Sequence, residues 1–342
     1  PPDAAAAAGA ATVVPLAALL GYGLARSTAK GFDELRNAVF ARTAQRAILA
    51  KAEVTYGTDP TPTGAANYIE VYEPSMPQYE AAKTERMPVR PTLGPISTVV
   101  GNGPYKLDFS CHLQSSGAAG TAPAMSPLLK ACGLVETVNV GVDVTYTADE
   151  TPDDSVTLYD NLDGMLHEGN GCRGNLQLEF AHEAVPMAKY SFTGNRVNPV
   201  DVAVPAVTVT PWKDPLHVNK ANTLFTLHGA SPVLHKLSLD LGNEVVWKDH
   251  VNSAQQARII NRKISGSLSI ELPLIATKDW FAAARNATLA AMQLVHGTAA
   301  GYTVQIDATE VQLLDPKVED ADGIQVITMN LLILSGFAIA FK

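Results

Sequence analysis

The sequence predicts a mainly β protein with two tandem β-sandwich domains, each with one flanking helix, after a helical N-terminal extension. Segments of alternating apolar and polar residues, bounded by Gly, Pro and Asp, recur along the chain from about residue 49. One helical segment stands among the strands of each half, and the first 48 residues are rich in alanine. We therefore divide the chain into 1–48, 49–200 and 201–342.

The N-terminal extension is predicted to contain two helical segments. No charged residue occurs from Ala4 to Ala25, a length that would also suit a membrane-spanning helix. Pro15 and the high alanine content weaken that alternative. No basic region precedes the segment, so a secretory signal is not expected. The segment STAKGFDELRNAVFARTAQRAILA follows, with apolar residues at helical spacing.

The first half alternates strands with one short helix. The segment SPLLKACG predicts a helix that starts at Ser126, has Pro127 at its first position and ends at Gly133. The stretch at 199–212 has prolines that exclude a central strand, so it predicts an extended connection. The predicted strands are YKLDFSCHL (105–113), VNVGVDVTYTAD (138–149), NLQLEFAHE (175–183) and KYSFTG (189–194).

The second half shows a similar order of elements. KLSLDLGNEVVWKDH predicts a hairpin, and KDWFAAARNATLAAMQLVHG predicts a long helix from the N-cap Asp279 to the stop Gly297. Strand, helix and strand therefore follow one another once in each half. The predicted strands are SGSLSIELPL (265–274), AGYTVQIDATEVQLLDP (300–316) and GIQVITMNLLIL (323–334).

The charge balance bears on the partners of the protein. The chain carries 25 Lys and Arg residues against 34 Asp and Glu residues, a net charge of −9. Affinity for nucleic acids comes mainly from cations that neutralise phosphates, so tight DNA or RNA binding is not expected. An acidic surface would repel DNA, which suits a conduit for DNA.

The candidate motifs do not predict catalysis, a metal site or a cofactor. Cys111, Cys132 and Cys172 lack metal-ligand spacing and are predicted to be free, buried thiols in a reducing cytoplasm. Glycines 169, 171 and 174 form G-x-G-x-x-G, but an alternating segment follows where a dinucleotide site needs a helix, so we interpret the motif as a turn. His112 with Ser115 leaves a hydrolase as a weak alternative, because no acid is placed to orient the imidazole.

Residues 56–104 form a long stretch rich in glycine and proline. Such a long loop in a compact domain is usually functional. An arm that becomes ordered when it reaches a neighbouring subunit is one physical use of such a segment.

From about residue 47 to 342 the chain resembles major tail tube proteins of long-tailed (siphovirus-type) bacteriophages. The segments that carry the resemblance include AKAEVTYGTDPTPT, SSGAAGTAPAMSPLLKACG, GCRGNLQLEFAHEAVPMAKYSFTG and LSLDLGNEVVWKDHVNSAQQARIINRKISGSLSIEL. The resemblance implies tail-tube-type β-sandwiches whose inner sheets join between subunits into a barrel, with six domains lining each ring. Two domains per chain would give a trimeric, pseudo-sixfold ring, and a hexameric ring is the alternative.

The resemblance also implies a location, partners and candidate sites. It implies a structural, non-enzymatic subunit of the virion tail, assembled in the host bacterial cytoplasm, whose stacked rings conduct DNA without specific binding. Its partners would be copies of itself and the tape measure, terminator and distal tail proteins. The candidate inter-subunit loop comprises Ser115, Ser116, Gly117, Gly120 and Pro123, and the candidate lumen acids are Asp240, Glu244, Glu271 and Asp307.

A second resemblance concerns only residues 11–48. GYGLARSTAKGFDELRNAVFARTAQRAI resembles part of the transmembrane domain of Atm1-type ABC transporters. No phosphate-binding G-x-x-x-x-G-K-[ST] occurs in the chain, so transport does not follow. The uncharged segment nevertheless leaves one alternative function, a membrane-anchored β-sandwich binding protein.

Overall fold

The computed structural model describes residues 45–342, which form one compact unit. Most of the predicted helical extension lies outside the described residues. The described chain already begins its first strand at Arg46, inside the range predicted for the extension. The unit is mainly β, as the alternating sequence predicts, and its large sheets are antiparallel.

The first half contains eleven strands and two short helices. The helices are α1 (Gly64–Asn67) and α2 (Ser126–Ala131). The strands are β1 (Arg46–Ala52), β2 (Tyr68–Ile69), β3 (Lys83–Thr84), β4 (Val99–Val100), β5 (Pro104–His112), β6 (Leu134–Asn139), β7 (Asp143–Ala148), β8 (Val156–Leu162), β9 (Met165–Ala181), β10 (Met187–Arg196) and β11 (Val200–Asp201).

The second half contains nine strands and one short helix, α3 (Trp280–Arg285). The strands are β12 (Thr223–Leu227), β13 (Leu234–Asp240), β14 (Asn243–Lys248), β15 (Gln256–Arg262), β16 (Ser265–Glu271), β17 (Leu289–His296), β18 (Val304–Ala321), β19 (Ile324–Ser335) and β20 (Ala338–Phe341).

The prediction of a long helix in the second half is wrong for all but its first turns. Asp279 does cap α3, because its side chain accepts a hydrogen bond from the Ala282 amide, but the helix ends at Arg285. Residues 289–296 form β17 instead, in which Met292, Leu294 and His296 are buried at alternate positions. Pairing with β12 and β18 satisfies the backbone of this segment, so tertiary structure overrides its helical composition.

Two further expectations need correction. β13 and β14 are adjacent in sequence but do not form a hairpin, since β13 pairs with β9 and β16 while β14 pairs with β15. The glycine motif is not a turn, because all three glycines lie inside β9. A β-carbon on Gly174 would lie 2.6 Å from the Phe192 ring, so close packing requires glycine there.

The α2 helix occupies the predicted residues, but Ser126 does not cap it. The N-cap position is Met125, and the Ser126 hydroxyl donates to the Glu136 carboxylate. Pro127 occupies the first turn as predicted, and Gly133 adopts a φ of +75° just past the helix.

The same order of strand pairing occurs in both halves. In the first half β1 pairs with β8, β8 with β9, β9 with β10, and β10 with β5. In the second half β12 pairs with β17, β17 with β18, β18 with β19, and β19 with β16. The short helix follows β5 in one case and β16 in the other, and a two-stranded hairpin precedes each of these strands.

The two halves are joined through shared sheets. β9 pairs with β13 across the boundary, and β7 pairs with β20. The long strand β9 pairs with β8 along its first part and with β13 along its last part, and β18 pairs with β17 along its first part and with β19 along the rest. The apolar faces enclose a core that includes the stacked rings of Phe109, Tyr190 and Phe192. The three cysteines are free and buried, as predicted.

Candidate functional site

Seven strands form an unbroken sheet that crosses both halves, in the order β5-β10-β9-β13-β16-β19-β18. One face of this sheet is apolar because alternate residues point into the core. On β13, for example, Leu237 and Leu239 are buried, and on β16 Leu268 and Ile270 are buried. The opposite face, which we call the polar face, carries the intervening residues.

The polar face contains a charge cluster where the two halves meet. The Glu179 carboxylate on β9 accepts hydrogen bonds from Lys189 on β10 at 2.6 Å and from Lys236 on β13 at 2.5 Å. These two bonds hold the pKa of Glu179 below its ordinary value. The cluster therefore ties together three strands, one of which belongs to the other half.

A second cluster lies at the same boundary. Asp240 on β13 accepts hydrogen bonds from the side-chain amides of Asn175 and Gln177 on β9, each at 2.7 Å. The Gly242 amide donates a further bond to it. Asp240 was expected as a lumen acid, and the structure shows that its oxygens are engaged in joining the two halves.

The part of the polar face formed by β16 and β19 is neutral where serine, threonine and asparagine lie side by side. Ser265, Ser267 and Ser269 of β16 lie beside Thr328 and Asn330 of β19. Over the whole polar face the acids outnumber the lysines. The lysines are 106, 189, 236 and 317, and the acids are Asp108, Glu179, Asp240, Glu271, Asp315 and Glu319. Arg173 of β9 lies on the same side of the sheet, but it is buried and donates to the Ala257 carbonyl, so the acids still outnumber the cations.

The four candidate lumen acids occupy three different places. Asp240 and Glu271 lie on the polar face, and the Glu271 carboxylate is 3.7 Å from His235. Glu244 is exposed on the β14–β15 hairpin. Asp307 lies on the part of β18 that pairs with β17 and β20, where Gln293 and Gln305 donate to it. The structure therefore does not bring these four acids together.

The candidate inter-subunit loop folds mostly onto its own chain. Ser115, Gly120 and Pro123 are buried, while Ser116 and Gly117 are half-buried. The Gly117 amide donates to the Gly301 carbonyl. A β-carbon on Gly120 would lie 2.1 Å from the Gly141 amide nitrogen, so the loop contacts the β6–β7 turn closely. Within this loop the exposed residues are Ala118 and Thr121.

The structure places the residues of the two alternative functions, an enzyme and a membrane-anchored protein, as follows. His112 lies on a strand with its ring 4.1 Å from that of Tyr72, and Ser115 is buried. Within residues 45–342 no group of three potential metal ligands occurs. In the same range no helix has both the length and the apolar character needed to cross a membrane. Residues 4–25, the candidate anchor, lie outside the described range.

The sequence did not reveal the two outer edges of the seven-stranded sheet. At one end, no strand among the described residues pairs with the outer side of residues 313–321 of β18. At the other end, Tyr72 pairs with Ser110 of β5 through two backbone hydrogen bonds, and Ser75 bonds to Asp108. Pairing between distant strands leaves no local signal in the sequence, so neither edge could be located beforehand.

The sequence model of one family, described as phage tail tube protein, matches residues 43–332. A search of curated proteins found no match. The family match does not support the resemblance of residues 11–48 to an ABC transporter. It covers most of the chain, including every strand of the seven-stranded sheet apart from the last residues of β19. The chain therefore belongs to the phage tail tube protein family.

Proposed function

We propose that three copies of this chain close a ring, that rings stack into a tail tube, and that the polar faces line a lumen through which DNA passes. Membership of the family gives the chain a structural role in the virion tail. The observation that carries the finer proposal is the seven-stranded sheet, which crosses both halves with one polar face. At one end of this sheet, the outer side of residues 313–321 pairs with no strand among the described residues.

The repeated pairing order supports three chains per ring rather than six. The halves predicted as 49–200 and 201–342 each contain the same sequence of four antiparallel pairings, so each half supplies one equivalent unit. Three chains then supply six units. A closed barrel leaves no sheet edge exposed, which removes a route to aggregation.

The chemistry of the polar face supports passage without binding. Its lysines are outnumbered by acids, and Lys189 and Lys236 are already paired with Glu179. Few cations therefore remain to neutralise DNA phosphates, and repulsion from the acids opposes sticking.

The long loop supports contact between neighbouring subunits. Residues 76–103 carry several exposed apolar side chains, including Met87, Val89 and Leu93. Exposed apolar groups that cluster on one segment commonly mark interaction sites. We assign this loop, together with the exposed Ala118 and Thr121, to contacts between subunits.

Electron microscopy of the purified protein and of virion tails tests the proposal. We expect stacked hollow rings with threefold symmetry and six similar lobes, each ring having the mass of three chains. Rings with the mass of six chains would overturn the trimeric arrangement and favour the hexameric one. A protein that stays monomeric under all conditions and is absent from the tail wall would overturn the proposed function. The family match does not favour the membrane-anchored alternative.

A further inference from the structure

We propose that the ring closes at a joint in which residues 317–321 of β18 pair, antiparallel, with residues 70–72 of a second copy. We call residues 317–321 the β18 edge and residues 70–72 the Tyr72 segment. The proposal rests on the proposed ring, and it names the two surfaces that meet. The joint between β9 and β13 inside the chain serves as its template.

The template follows from the repeated pairing order. β9 corresponds to β18, since each pairs with the equivalent neighbours on both sides. β13 corresponds to the Tyr72 segment, because β13 pairs with β16 just as Tyr72 pairs with Ser110 of the corresponding strand β5. Inside the chain, β9 and β13 pair over five residues. The corresponding partners β18 and the Tyr72 segment do not meet within one chain.

An apolar side chain on the β18 edge is exposed, whereas a side chain on the same side of β9 is buried. Leu178 of β9 lies opposite Leu239 of β13 and is only 1% exposed. Val318 of β18 points to the same apolar side, because it pairs with the buried Ile327, yet it is 49% exposed. A strand placed beside it, as β13 is placed beside β9, would bury it.

The Tyr72 segment has backbone groups available for such pairing. Tyr72 directs its amide and carbonyl to Ser110, so the preceding residue Val71 directs its own amide and carbonyl away from β5. The chain bends at Glu73, which has a φ of +50°, and this bend ends the extended part of the segment. Among the described residues, the Val71 amide donates no backbone hydrogen bond. Arg46 fixes the chain just after the segment by donating to the carbonyls of Pro74 and Ser75.

The charges at the two joints differ. Inside the chain, Lys236 of β13 meets Glu179 of β9. The β18 edge instead carries Glu319 and Asp320 with Lys317, and the Tyr72 segment carries Glu70 and is followed by Glu73. Two acidic edges repel each other until salt or the growing tail overcomes the repulsion. Charged edges of this kind keep unassembled chains from pairing prematurely.

Cysteine cross-linking in assembled rings tests the joint. The variants combine Tyr72→Cys with either Lys317→Cys or Glu319→Cys, which covers the two neighbouring registers on the polar face. Residues directly opposite on antiparallel strands have β-carbons about 4.5–5.5 Å apart, close enough for a disulfide after small adjustment. The native cysteines are buried and should not interfere. Tyr72→Cys with Thr277→Cys, at an exposed position outside the polar face, serves as the off-joint control.

We expect one of the two pairs to give covalent dimers and trimers under oxidation, and the control pair to give none. Tubes that form normally but cross-link with neither pair would overturn the joint and leave the proposed function intact. Failure of the parent chain to form rings or tubes under any condition would overturn the proposed function itself.

A charge change provides an independent measurement. Glu70→Lys places a cation on the same side of the segment as Tyr72, facing the acidic β18 edge, as Lys236 faces Glu179. We expect it to raise assembly at low salt several-fold and to reduce the salt dependence. Val318→Asp should block assembly while circular dichroism shows a folded monomer. If neither variant changes assembly although the parent chain forms tubes, the joint lies elsewhere.

Discussion

Arg46 and Asp160 form a buried, bidentate ion pair between β1 and β8. The Arg46 guanidinium donates to both oxygens of the Asp160 carboxylate at 2.7 Å, and the two side chains are 8% and 0% exposed. The same guanidinium reaches the carbonyls of Pro74 and Ser75. One buried cation thus connects β1 and β8 to the residues that follow the segment that we assign to the ring joint.

Removing the carboxylate should strongly destabilise the chain. Asp160→Ala leaves the Arg46 charge buried and partly unpaired, so we expect a loss of about 3–5 kcal/mol in the free energy of unfolding. Urea denaturation of the monomer measures it. Asp214→Ala, at an exposed position, is the matched control and should change stability by less than about 0.5 kcal/mol. Equal effects in both variants would contradict the assigned role of the pair.

The Glu179 cluster should make stability depend on pH. Its two lysine partners lower the pKa of Glu179 in the folded chain, so the folded state favours the carboxylate. The resulting contribution to the free energy of unfolding is fully present at pH values above the pKa of an unfolded glutamate, about 4.3. It is lost as the pH falls through the lower pKa that Glu179 has in the folded chain. We therefore expect Glu179→Gln to destabilise the monomer at pH 7 and to have little effect near the acid end of the folded range.

Denaturation curves at several pH values, for parent and variant, measure this dependence. Glu244→Gln, at an exposed acid on β14, provides the control. A stability difference for Glu179→Gln that stays constant from pH 7 to pH 3 would show that the carboxylate charge is not what joins the strands.

Gly174 should be intolerant of any side chain. The added β-carbon of Gly174→Ala would lie 2.6 Å from both the Phe192 ring and the Ser191 carbonyl oxygen. Overpacking of this kind typically costs about 1–3 kcal/mol. Gly101→Ala is the matched control, because its new β-carbon meets its nearest neighbours at an ordinary 3.6 Å. Thermal unfolding should separate the two, and a harmless Gly174→Ala would refute the packing explanation of the glycine motif.

New cations on the polar face should slow the passage of DNA. Ser267→Arg adds one guanidinium per chain to a region that is otherwise neutral, and arginine binds DNA phosphates. We expect phage assembled with this variant to eject DNA several-fold more slowly, with the delay relieved by added salt. Thr277→Arg adds the same charge at an exposed position outside the polar face. Equal delays from both variants would place the polar face outside the lumen.

The sequence allowed the strands to be located wherever one face is buried. β5 has alternating burial along its length, and the alternation in YKLDFSCHL predicted it. Residues 289–296 were predicted as part of a helix because alanine favours helices. They form the strand β17 because they pair with β12 on one side and β18 on the other. Local patterns also suggested a β13–β14 hairpin, although each strand finds its partners far away in the chain.

The candidate site was harder to predict than the fold. Acids could be counted from the sequence, but not the fact that Asp240 is engaged by Asn175 and Gln177. The loop around Ser115 has the glycines of a flexible connection, yet its glycines serve close packing against Gly141 and Gly301. The sheet edges depend on which strands pair, and such long-range contacts have no spacing rule in a single sequence.

The pairing of β9 with β13 has a kinetic consequence if three chains form the ring. Three of the six joints around each ring are then β9–β13 joints within a chain, and they form as the chain folds. Because the two strands belong to one chain, their effective concentration is high. The remaining three joints are the bimolecular steps. Closing a ring needs the encounter of three molecules instead of six, so tube growth depends less steeply on the supply of free protein.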